Sequence, residues 1–288
     1  MKNNIQIICF ACSIFILQAC TEIGPAIDFT PVDTSLTDTT YVQPLIETPQ
    51  QRVVLFEDFT GVQCVNCPTA HDKTTELQNL YPDRIIVIAE HNYFAGPYPE
   101  SNEDYVIPEA NELNAYLGPA FGWPAGVIDR YDFAGTGNLT TLLISNYQIF
   151  VEDRLDEPTL CNLYMAKEYD ADSRQLNVTV KVVYTGTVTD ENHLSIMLLE
   201  DHIIDLQETL SGINYDYEHN HVLRDMMTPT TGVILNAELI PGRVFEKEFS
   251  MALPDNWNDT NVSVVAFVNT FTASNKVVLQ SSSINVVD

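Results

Sequence analysis

Two short apolar runs on either side of a helical pattern follow residue 50. Residues 52–59 (Arg-Val-Val-Leu-Phe-Glu-Asp-Phe) form a nearly continuous apolar segment of strand length, and residues 84–89 form a second one. Between them Pro68 stands where a helix would begin, and Pro82 ends an apolar stripe made of Leu77, Leu80 and Tyr81. This spacing predicts a right-handed crossover between two parallel strands, and hence an α/β layer.

The next segment adds a loop, two helices and a short strand to that layer. An aromatic, Pro-rich loop from Tyr93 to Tyr98 precedes a helix predicted from Pro108 to Gly118. Residues 122–129 (Gly-Trp-Pro-Ala-Gly-Val-Ile-Asp) then predict a turn into a strand. A closing helix is indicated by the apolar residues Leu139, Leu142, Leu143 and Phe150. The first predicted domain therefore covers residues 51–157.

After residue 157 apolar and polar positions alternate. In residues 176–184, Leu, Val and Tyr alternate with Asn, Thr and Lys, which is typical of a half-buried strand. Further strand-like runs, separated by Gly, Pro, Asn and Asp, lie at residues 194–199, 244–253, 262–268 and 276–279. This pattern predicts an all-β sandwich, immunoglobulin-like or jelly-roll-like, over residues 158–288.

The amino terminus has the pattern of an exported lipoprotein. A short basic region precedes the mostly apolar residues 5–17, and the lipobox-like sequence Leu-Gln-Ala-Cys ends at Cys20. The apolar run is too short to span a bilayer comfortably, which favours a removed signal peptide (residues 1–19) over an uncleaved anchor helix. Lipid on Cys20 would attach the protein to a membrane, and the Thr-, Asp- and Pro-rich residues 20–50 predict a tether.

The charge of the chain limits its partners. The sequence has 40 acidic and 13 basic residues, which gives a formal net charge of -27. A phosphate backbone or an anionic membrane surface would be repelled, so nucleic acid is not an expected partner. We interpret the acidity as a soluble surface rather than as a site for a cationic ligand or a metal. Attachment to the membrane is expected only through the lipid on Cys20.

Three of the six cysteines remain after processing. Cys9 and Cys12 leave with the signal peptide, and Cys20 is consumed by lipid. In an oxidising envelope, the close spacing of Cys64 and Cys67 in the sequence predicts a disulfide between them. The odd Cys161 is predicted to be either buried or a free thiol.

The Cys64-Val-Asn-Cys67 motif carries the clearest chemistry. Unpaired N–H groups and the dipole at a helix start favour the thiolate of Cys64, which is the candidate nucleophile. Cys67, one turn into the helix, is the candidate resolving thiol that releases a mixed disulfide. A zinc site is disfavoured, because no second C-x-x-C exists and a His-completed site would need distant ligands. We therefore expect no metal and no other cofactor.

The segment Asp58-Phe-Thr-Gly-Val-Gln-Cys-Val-Asn-Cys67 resembles thioredoxins, in which Asp-Phe is followed after four residues by Cys-x-x-Cys. The resemblance implies that Asp58 is the buried acid that moves a proton to or from the inner cysteine, a role suited to a raised pKa. Glu57 is the competitor, since neighbours on a strand face opposite sides and only one is expected to point inward. Either residue could also be a solvated carboxylate at a strand end.

Pro124, preceded by Trp123, resembles the thioredoxin-fold cis-proline that faces the disulfide and offers backbone to an extended substrate. It lies further from Cys67 than in a minimal thioredoxin, which implies an insertion covering about residues 93–118. The insertion would either shape a substrate groove or cover the site. The Val-Asn pair between the cysteines differs from the common Gly-Pro and Pro-His pairs, so the redox poise of those pairs does not transfer.

The whole mature chain is similar to the Bacteroidetes lipoproteins of the outer membrane protein 28 family. The similarity rests on the lipobox, the Phe-Thr-Gly-x-x-Cys-x-x-Cys-Pro stretch, the Gly-Trp-Pro segment and the β-rich second half. It implies an outer-membrane lipoprotein that faces the periplasm or the cell surface, with roles in adhesion or envelope maintenance.

Three histidines are weaker candidates. His71 stands one helical turn after Cys67 and would raise the positive potential near the thiolates, unless it is merely exposed. His219 and His221 would share one face of a strand, a spacing that some metal sites use. A surface pair in a Tyr-rich loop is the preferred interpretation of these two residues.

Two functions fit these features. The leading hypothesis is thiol–disulfide exchange by Cys64, Cys67 and Asp58, with Trp123 and Pro124 binding a protein thiol or disulfide. The alternative is a non-enzymatic adhesion or binding module, in which the disulfide is structural and the β domain binds an unknown partner. Solvent access to the Cys64 sulfur distinguishes them, because an exchanger needs an accessible sulfur.

Overall fold

An eight-stranded sheet and a four-stranded sheet organise residues 36–288, the part of the chain that the computed structural model describes. The fold of this part is β-rich, with fourteen strands and three α-helices. None of these helices is long and apolar enough to cross a membrane. The predicted signal peptide and Cys20 lie outside the described residues.

The strands are β1 (Asp38–Val42), β2 (Val54–Thr60), β3 (Ile85–His91), β4 (Ala125–Ile128), β5 (Cys161–Asp170), β6 (Gln175–Tyr184), β7 (Asn192–Glu200), β8 (Ile203–Thr209), β9 (Gly212–His219), β10 (Val222–Met226), β11 (Val233–Ile234), β12 (Arg243–Ala252), β13 (Val262–Thr270) and β14 (Val278–Asn285). The helices are α1 (Cys67–Leu80), α2 (Pro108–Leu117) and α3 (Tyr147–Leu155), with 3₁₀ turns at Tyr93–Ala95, Ile144–Asn146 and Asp259–Asn261.

The predicted strand–helix–strand unit is confirmed by β2, α1 and β3. β2 pairs in parallel with β3 over its whole length, and β4 pairs antiparallel with the other side of β2. Every residue of β2 is buried, because apolar cores lie on both of its faces. Leu55 and Phe59 pack with α2, whereas Val54 and Phe56 pack with α1 and α3. A central strand that is covered on both faces has a nearly continuous run of apolar residues in its sequence.

The third helix begins later than predicted. Leu139, Leu142 and Leu143 are not helical, and α3 starts only at Tyr147. Thr141 instead exchanges two backbone hydrogen bonds with Gly126, at 2.8 and 2.9 Å. This pairing extends the edge of the sheet beyond β4 and takes the backbone groups that a helix would have used.

The boundary predicted near residue 157 does not separate two compact units. In the order β14-β13-β7-β10-β3-β2-β4, strands from both sides of that boundary lie in one sheet. β10 and β3 meet where Val222 stands opposite Ala89, and the Ala89 N–H donates to the His221 carbonyl at 2.8 Å. Segments 51–157 and 158–288, which the sequence suggested as separate domains, therefore belong to one unit that spans residues 36–288.

The described part of the predicted tether is attached to this unit. β1 pairs antiparallel with β12 at the edge of the four-stranded sheet β1-β12-β6-β5. Further along, the Gln50 N–H donates to the Asn162 side chain at 2.8 Å. The polar composition of residues 20–50 suggested a free linker, but the backbone of β1 gains hydrogen bonds from an open sheet edge.

β8 and β9 form a two-stranded ribbon that packs against the turn carrying the cysteines. The Glu208 N–H donates to the Val62 carbonyl at 2.8 Å. On the partner strand, the Tyr217 hydroxyl lies 2.7 Å from Nδ1 of His71. A ribbon from the second half of the chain therefore forms part of the surroundings of the cysteine motif.

Candidate functional site

Cys64 and Cys67 form a disulfide at the start of α1, as predicted, with their Cα atoms 5.4 Å apart. The Cys64 N–H donates to the Gly61 carbonyl at 3.0 Å, and the Cys67 N–H donates to the Cys64 carbonyl at 3.2 Å. These two bonds fold the chain from β2 into the helix. Pro68 fits the first turn of the helix, where a backbone N–H would have no helical partner.

The disulfide is almost closed off from solvent. Cys64 is 6% exposed and Cys67 is fully buried. Ala95 and Trp123 pack against the pair. Ala95 belongs to the implied insertion, so that segment covers part of the site. The small exposed area lies on the predicted nucleophile and not on the predicted resolving cysteine.

The backbone approaches itself closely beneath this cover. A Cβ atom on Gly61 would lie 2.2 Å from the Ala95 oxygen and 2.6 Å from the Ala95 Cβ. The Gln63 N–H donates to the same Ala95 oxygen at 3.2 Å, and the Gln63 side chain donates to the Pro97 carbonyl at 2.9 Å. The absence of a side chain at Gly61 therefore allows the turn at Ala95 to rest on the disulfide.

A cavity of about 290 Å³ lies beside the motif. It is lined by Asn66, which stands between the cysteines, and by Trp123, Pro124 and Leu142, among others. The peptide bond between Trp123 and Pro124 is cis. The structure therefore places Pro124 and the cysteine turn around one cavity, although they are far apart in sequence. The substrate-binding role of Trp123 and Pro124 stays a prediction.

Exposed aromatic rings surround this region. Tyr93, Phe94 and Phe121 are 62%, 66% and 85% exposed, respectively. The ring of Phe94 lies 5.4 Å from that of Trp123, and the ring of Tyr93 lies 4.7 Å from that of Phe94. We call Tyr93, Phe94 and Trp123 the aromatic rim. Large exposed rings of this kind are enriched at protein-binding surfaces.

Glu57 and Asp58 are both buried, at 0% and 1% exposure. The expectation that only one of them would point inward is wrong, because β2 is covered on both faces. Glu57 is held by Arg130, whose guanidinium donates to both carboxylate oxygens at 2.6 and 3.0 Å. Neither oxygen of Asp58 has a hydrogen-bond partner within residues 36–288. Burial without such a partner raises the pKa of Asp58 well above its usual value.

His71 lies next to Asp58. Its Nε2 is 3.5 Å from Oδ2 of Asp58 and 3.0 Å from the Thr60 hydroxyl. Burial lowers the pKa of His71, and the nearby His219 and His221 lower it further, so the ring is neutral at pH 7. The prediction that His71 raises the positive potential near the thiolates is therefore wrong.

The His219 and His221 pair does not share a strand face. His219 ends β9 and is buried, with Nε2 3.2 Å from the Leu206 carbonyl. His221 lies beyond the strand at a φ of 60°, with Nδ1 3.0 Å from Asp201. Within the described range, no group of three or more His, Cys, Asp or Glu side chains is arranged to hold a metal ion.

Cys161 is both buried and free. It lies in the apolar core between the two sheets, where burial raises the pKa of its thiol to about 12. A thiol with so little thiolate at neutral pH is a poor nucleophile. The chemistry of the described thiols therefore belongs to Cys64 and Cys67.

Gln207, which no sequence pattern singled out, holds the cysteine turn from the ribbon. This side chain is fully buried, and its Nε2 donates to the carbonyls of Gly61 and Cys64 at 3.2 and 3.1 Å. Ala95 and Tyr217 were missed in the same way. No local pattern could have found them, because the contacts of Gln207 and Ala95 with the cysteine turn, and of Tyr217 with His71, arise only through the fold.

We expect Asp58→Asn to stabilise the protein at neutral pH. The folded-state pKa of Asp58 is raised above its unfolded value, so folding must remove or bury a charge once the pH exceeds the unfolded pKa. The gain over the parent should therefore be absent near pH 3 and grow by up to about 1.4 kcal/mol per pH unit above pH 4. Urea unfolding at several pH values measures this, with exposed Asp72→Asn as the control. A gain independent of pH would contradict the expectation.

The fold and the site together define a β-rich protein with a small α/β layer and one largely buried disulfide at a helix start. The chain belongs to the family described as Outer membrane protein Omp28, whose model matches residues 111–287, more than half of the sequence. The family name indicates association with the outer membrane. The matched range begins after Cys64 and Cys67, so membership in the family does not bear on these two residues.

Two solved structures share the fold. HBP35 of Porphyromonas gingivalis has a TM-score of 0.66 and 18% identity, over 82% of this chain and 75% of that chain. A protein of Agrobacterium tumefaciens known from its X-ray crystal structure has a TM-score of 0.53 and 12% identity, over 83% of this chain and 97% of that chain. At these identities the similarity concerns the fold alone. No curated protein matches the sequence significantly.

Proposed function

We propose that this protein is an outer-membrane lipoprotein, anchored through lipid on Cys20, whose thioredoxin-like segment performs thiol–disulfide exchange in the cell envelope. The observation that carries the proposal is the asymmetry of the disulfide. Cys64 is 6% exposed, whereas Cys67 has no exposed surface, and Asn66 between them lines the cavity at Pro124. An exchanger needs this order, because an incoming sulfur must reach one cysteine and the other must act from inside.

The exchange proceeds in two balanced steps. A substrate thiolate attacks Sγ of Cys64, the Cys64–Cys67 bond breaks, and its electron pair leaves on Cys67. The second substrate thiolate then attacks the substrate's own sulfur in the mixed disulfide, so that the substrate S–S bond forms, the bond to Cys64 breaks, and Cys64 leaves as a thiolate. The substrate dithiol becomes a disulfide and the protein becomes a dithiol. By its resemblance to the buried acid of thioredoxins, Asp58 supplies the proton that neutralises Cys67, and its raised pKa suits this role.

The surroundings of Cys64 suit a polypeptide substrate. The cavity of about 290 Å³ has room for a side chain, and Leu142 and Trp123 give it apolar walls. The aromatic rim adds exposed apolar surface next to it. The net charge of -27 disfavours a highly acidic partner. We therefore propose an extended polypeptide with apolar residues near its cysteines.

The test uses the mature chain from residue 21 with Cys161→Ala, so that only two thiols titrate. We expect a reduction potential within the ~-120 to -270 mV span of catalytic dithiols. We also expect oxidation of a reduced, unfolded protein substrate, lost in Cys64→Ser. A potential below about -300 mV, together with no oxidation above the Cys64→Ser background, would reject the proposal.

A non-enzymatic adhesion or binding module is the second candidate. The cover formed by Ala95 and Trp123 favours it, because a structural disulfide gains from being closed off. A loop this small constrains the unfolded chain less than the ~3 kcal/mol expected for fifteen residues, so the bond adds little stability by that route. If the potential lies below the catalytic span, the aromatic rim becomes the surface to test for binding.

A further inference from the structure

A second cavity, of about 260 Å³, opens beside Asp58 on a different part of the surface. It shares no lining residue with the cavity at Pro124. Asp58, His71, Thr74, Tyr217 and His221 are among the residues of its wall. A carboxyl group that is 1% exposed and has no hydrogen-bond partner in the described chain therefore faces a space that leads outward.

Two side chains connect Asp58 to the outside through this cavity. Nε2 of His71 lies 3.5 Å from Oδ2 of Asp58, and Nδ1 lies 2.7 Å from the Tyr217 hydroxyl. The His71 side chain is 21% exposed, and Tyr217 is half-buried. An imidazole with one nitrogen near a buried acid and the other on a hydroxyl can accept a proton on one side and release one on the other.

We propose that His71 and Tyr217 conduct protons between Asp58 and solvent. The proposal rests on the exchange function above, in which Asp58 must gain and lose a proton once per cycle. His71 and Tyr217 are positioning residues, because they act through Asp58 and do not touch the reacting sulfurs.

The relay moves one proton in each direction. For release, Oδ2 of Asp58 and Nε2 of His71 approach from 3.5 Å to hydrogen-bonding distance, and the carboxyl proton passes to Nε2. At the same time the Nδ1 proton passes to the Tyr217 oxygen, whose own proton goes to water. The ring ends neutral, with its proton on Nε2. Uptake runs the same steps backwards and restores the first tautomer. A full redox cycle therefore resets the ring without a separate step.

The neighbouring groups keep the imidazole neutral between transfers. Titratable side chains from several elements surround Asp58 and His71. They are Asp72 of α1, Glu90 and His91 of β3, Tyr147 of α3, Tyr217 and His219 of β9, and His221. Burial lowers the pKa of His71, His91 and His219 alike. Neutral rings are what a relay needs, because a permanently charged imidazole could not accept a proton from Asp58.

The experiment follows the proton of Asp58 directly and does not depend on thiol exchange. The oxidised mature chain is mixed rapidly with D₂O, and the carbonyl band of its protonated carboxyl groups is followed by infrared spectroscopy. Loss of a component in Asp58→Asn, and its persistence in Glu90→Gln, assigns the band. We expect deuterium exchange of this component to slow by roughly 10²-fold in His71→Gln and to slow in Tyr217→Phe.

The matched controls lie on β9 and immediately before β8. Tyr215→Phe removes a hydroxyl from the 65% exposed Tyr215 of β9, and His202→Gln changes a side chain that is 65% exposed. Both should exchange at the parent rate. In His71→Ala, added imidazole should restore the rate by occupying the vacated space. Retained fast exchange in both His71→Gln and Tyr217→Phe overturns the relay even if thiol exchange occurs. Slowed exchange in a protein that does not oxidise substrate upholds the relay and rejects the proposed function.

Discussion

Replacing Arg130 by methionine is expected to lower the free energy of unfolding by about 3–5 kcal/mol. Arg130 is fully buried and donates to both oxygens of Glu57, which is also fully buried. Its guanidinium also lies 4.7 Å from the centre of the Phe267 ring. Methionine fills similar space, so the main loss is the positive charge. Glu57 and Glu90 then stay buried without a cation between them.

The buried Glu90 adds to the expected loss of stability in Arg130→Met. Neither of its carboxylate oxygens has a hydrogen-bond partner in the described part of the chain, and burial and the charge of Glu57 raise its pKa. Arg130 acts in the opposite direction on Glu90. Without Arg130, Glu90 loses the cation that favours its charged form, so its pKa should rise further. The stability deficit should therefore shrink at acid pH, where Glu90 is protonated in both the folded and the unfolded state.

Urea unfolding at pH 7 and at acid pH measures both effects. Arg243→Met is the matched control, because Arg243 is half-buried and its guanidinium donates to the Glu238 carbonyl at 3.0 Å and to the Thr40 hydroxyl at 3.4 Å. We expect that control to change stability by less than about 1 kcal/mol. The double variant Arg130→Met/Glu57→Leu should recover much of the loss, since it removes the uncompensated charge. A deficit in the double variant as large as in Arg130→Met would show that lost packing dominates.

Replacing Gly61 by alanine is expected to open the cover of the disulfide. The added Cβ would meet the oxygen and Cβ of Ala95 at 2.2 and 2.6 Å, so the backbone at Ala95 must move. Overpacking of this kind costs about 1–3 kcal/mol. Because the strain acts on the turn at Ala95 above Cys64, it raises the fraction of molecules in which this turn has moved away from the disulfide by about 5- to 160-fold. Reduction of the disulfide by a small thiol should accelerate accordingly.

The rate of reduction by dithiothreitol, followed by alkylation of the new thiols, measures this opening. Gly96→Ala is the control in the same covering segment, because its Cβ would come no closer than 3.4 Å to another atom. That variant should be reduced at the parent rate. Equal rates for Gly61→Ala and the parent would mean that Ala95 does not limit access to Cys64, and that the small exposed area already suffices.

The cysteine motif shows which structural features can be predicted from local sequence. Cys64, Cys67 and Pro68 lie within five positions, so their disulfide and helix start follow from short-range geometry alone. The parallel pair β2 and β3 also follows, because the intervening helix leaves one crossover of the right hand. Pro124 lines the same cavity as Asn66, which stands between the cysteines, and its role in substrate binding stays a prediction.

The same local reasoning failed where a residue has two covered faces or a distant partner. Alternation along a strand predicts which residues share a face, but not whether the other face is covered, so the burial of both Glu57 and Asp58 was missed. The pairing of β10 with β3 was missed as well, because periodicity contains no information about which strands are neighbours.

Spacing and composition were sufficient to predict the β2–α1–β3 unit, the disulfide and the acidic charge of this chain, because these features depend on local sequence. The surroundings of the disulfide, in contrast, follow from the fold and from no local pattern. Ala95 covers it, Gln207 holds its turn from the β8–β9 ribbon, and His71 with Tyr217 connects Asp58 to solvent. Burial and hydrogen-bond partners are set by segments far apart in the chain, and these segments meet only when the shared sheet forms.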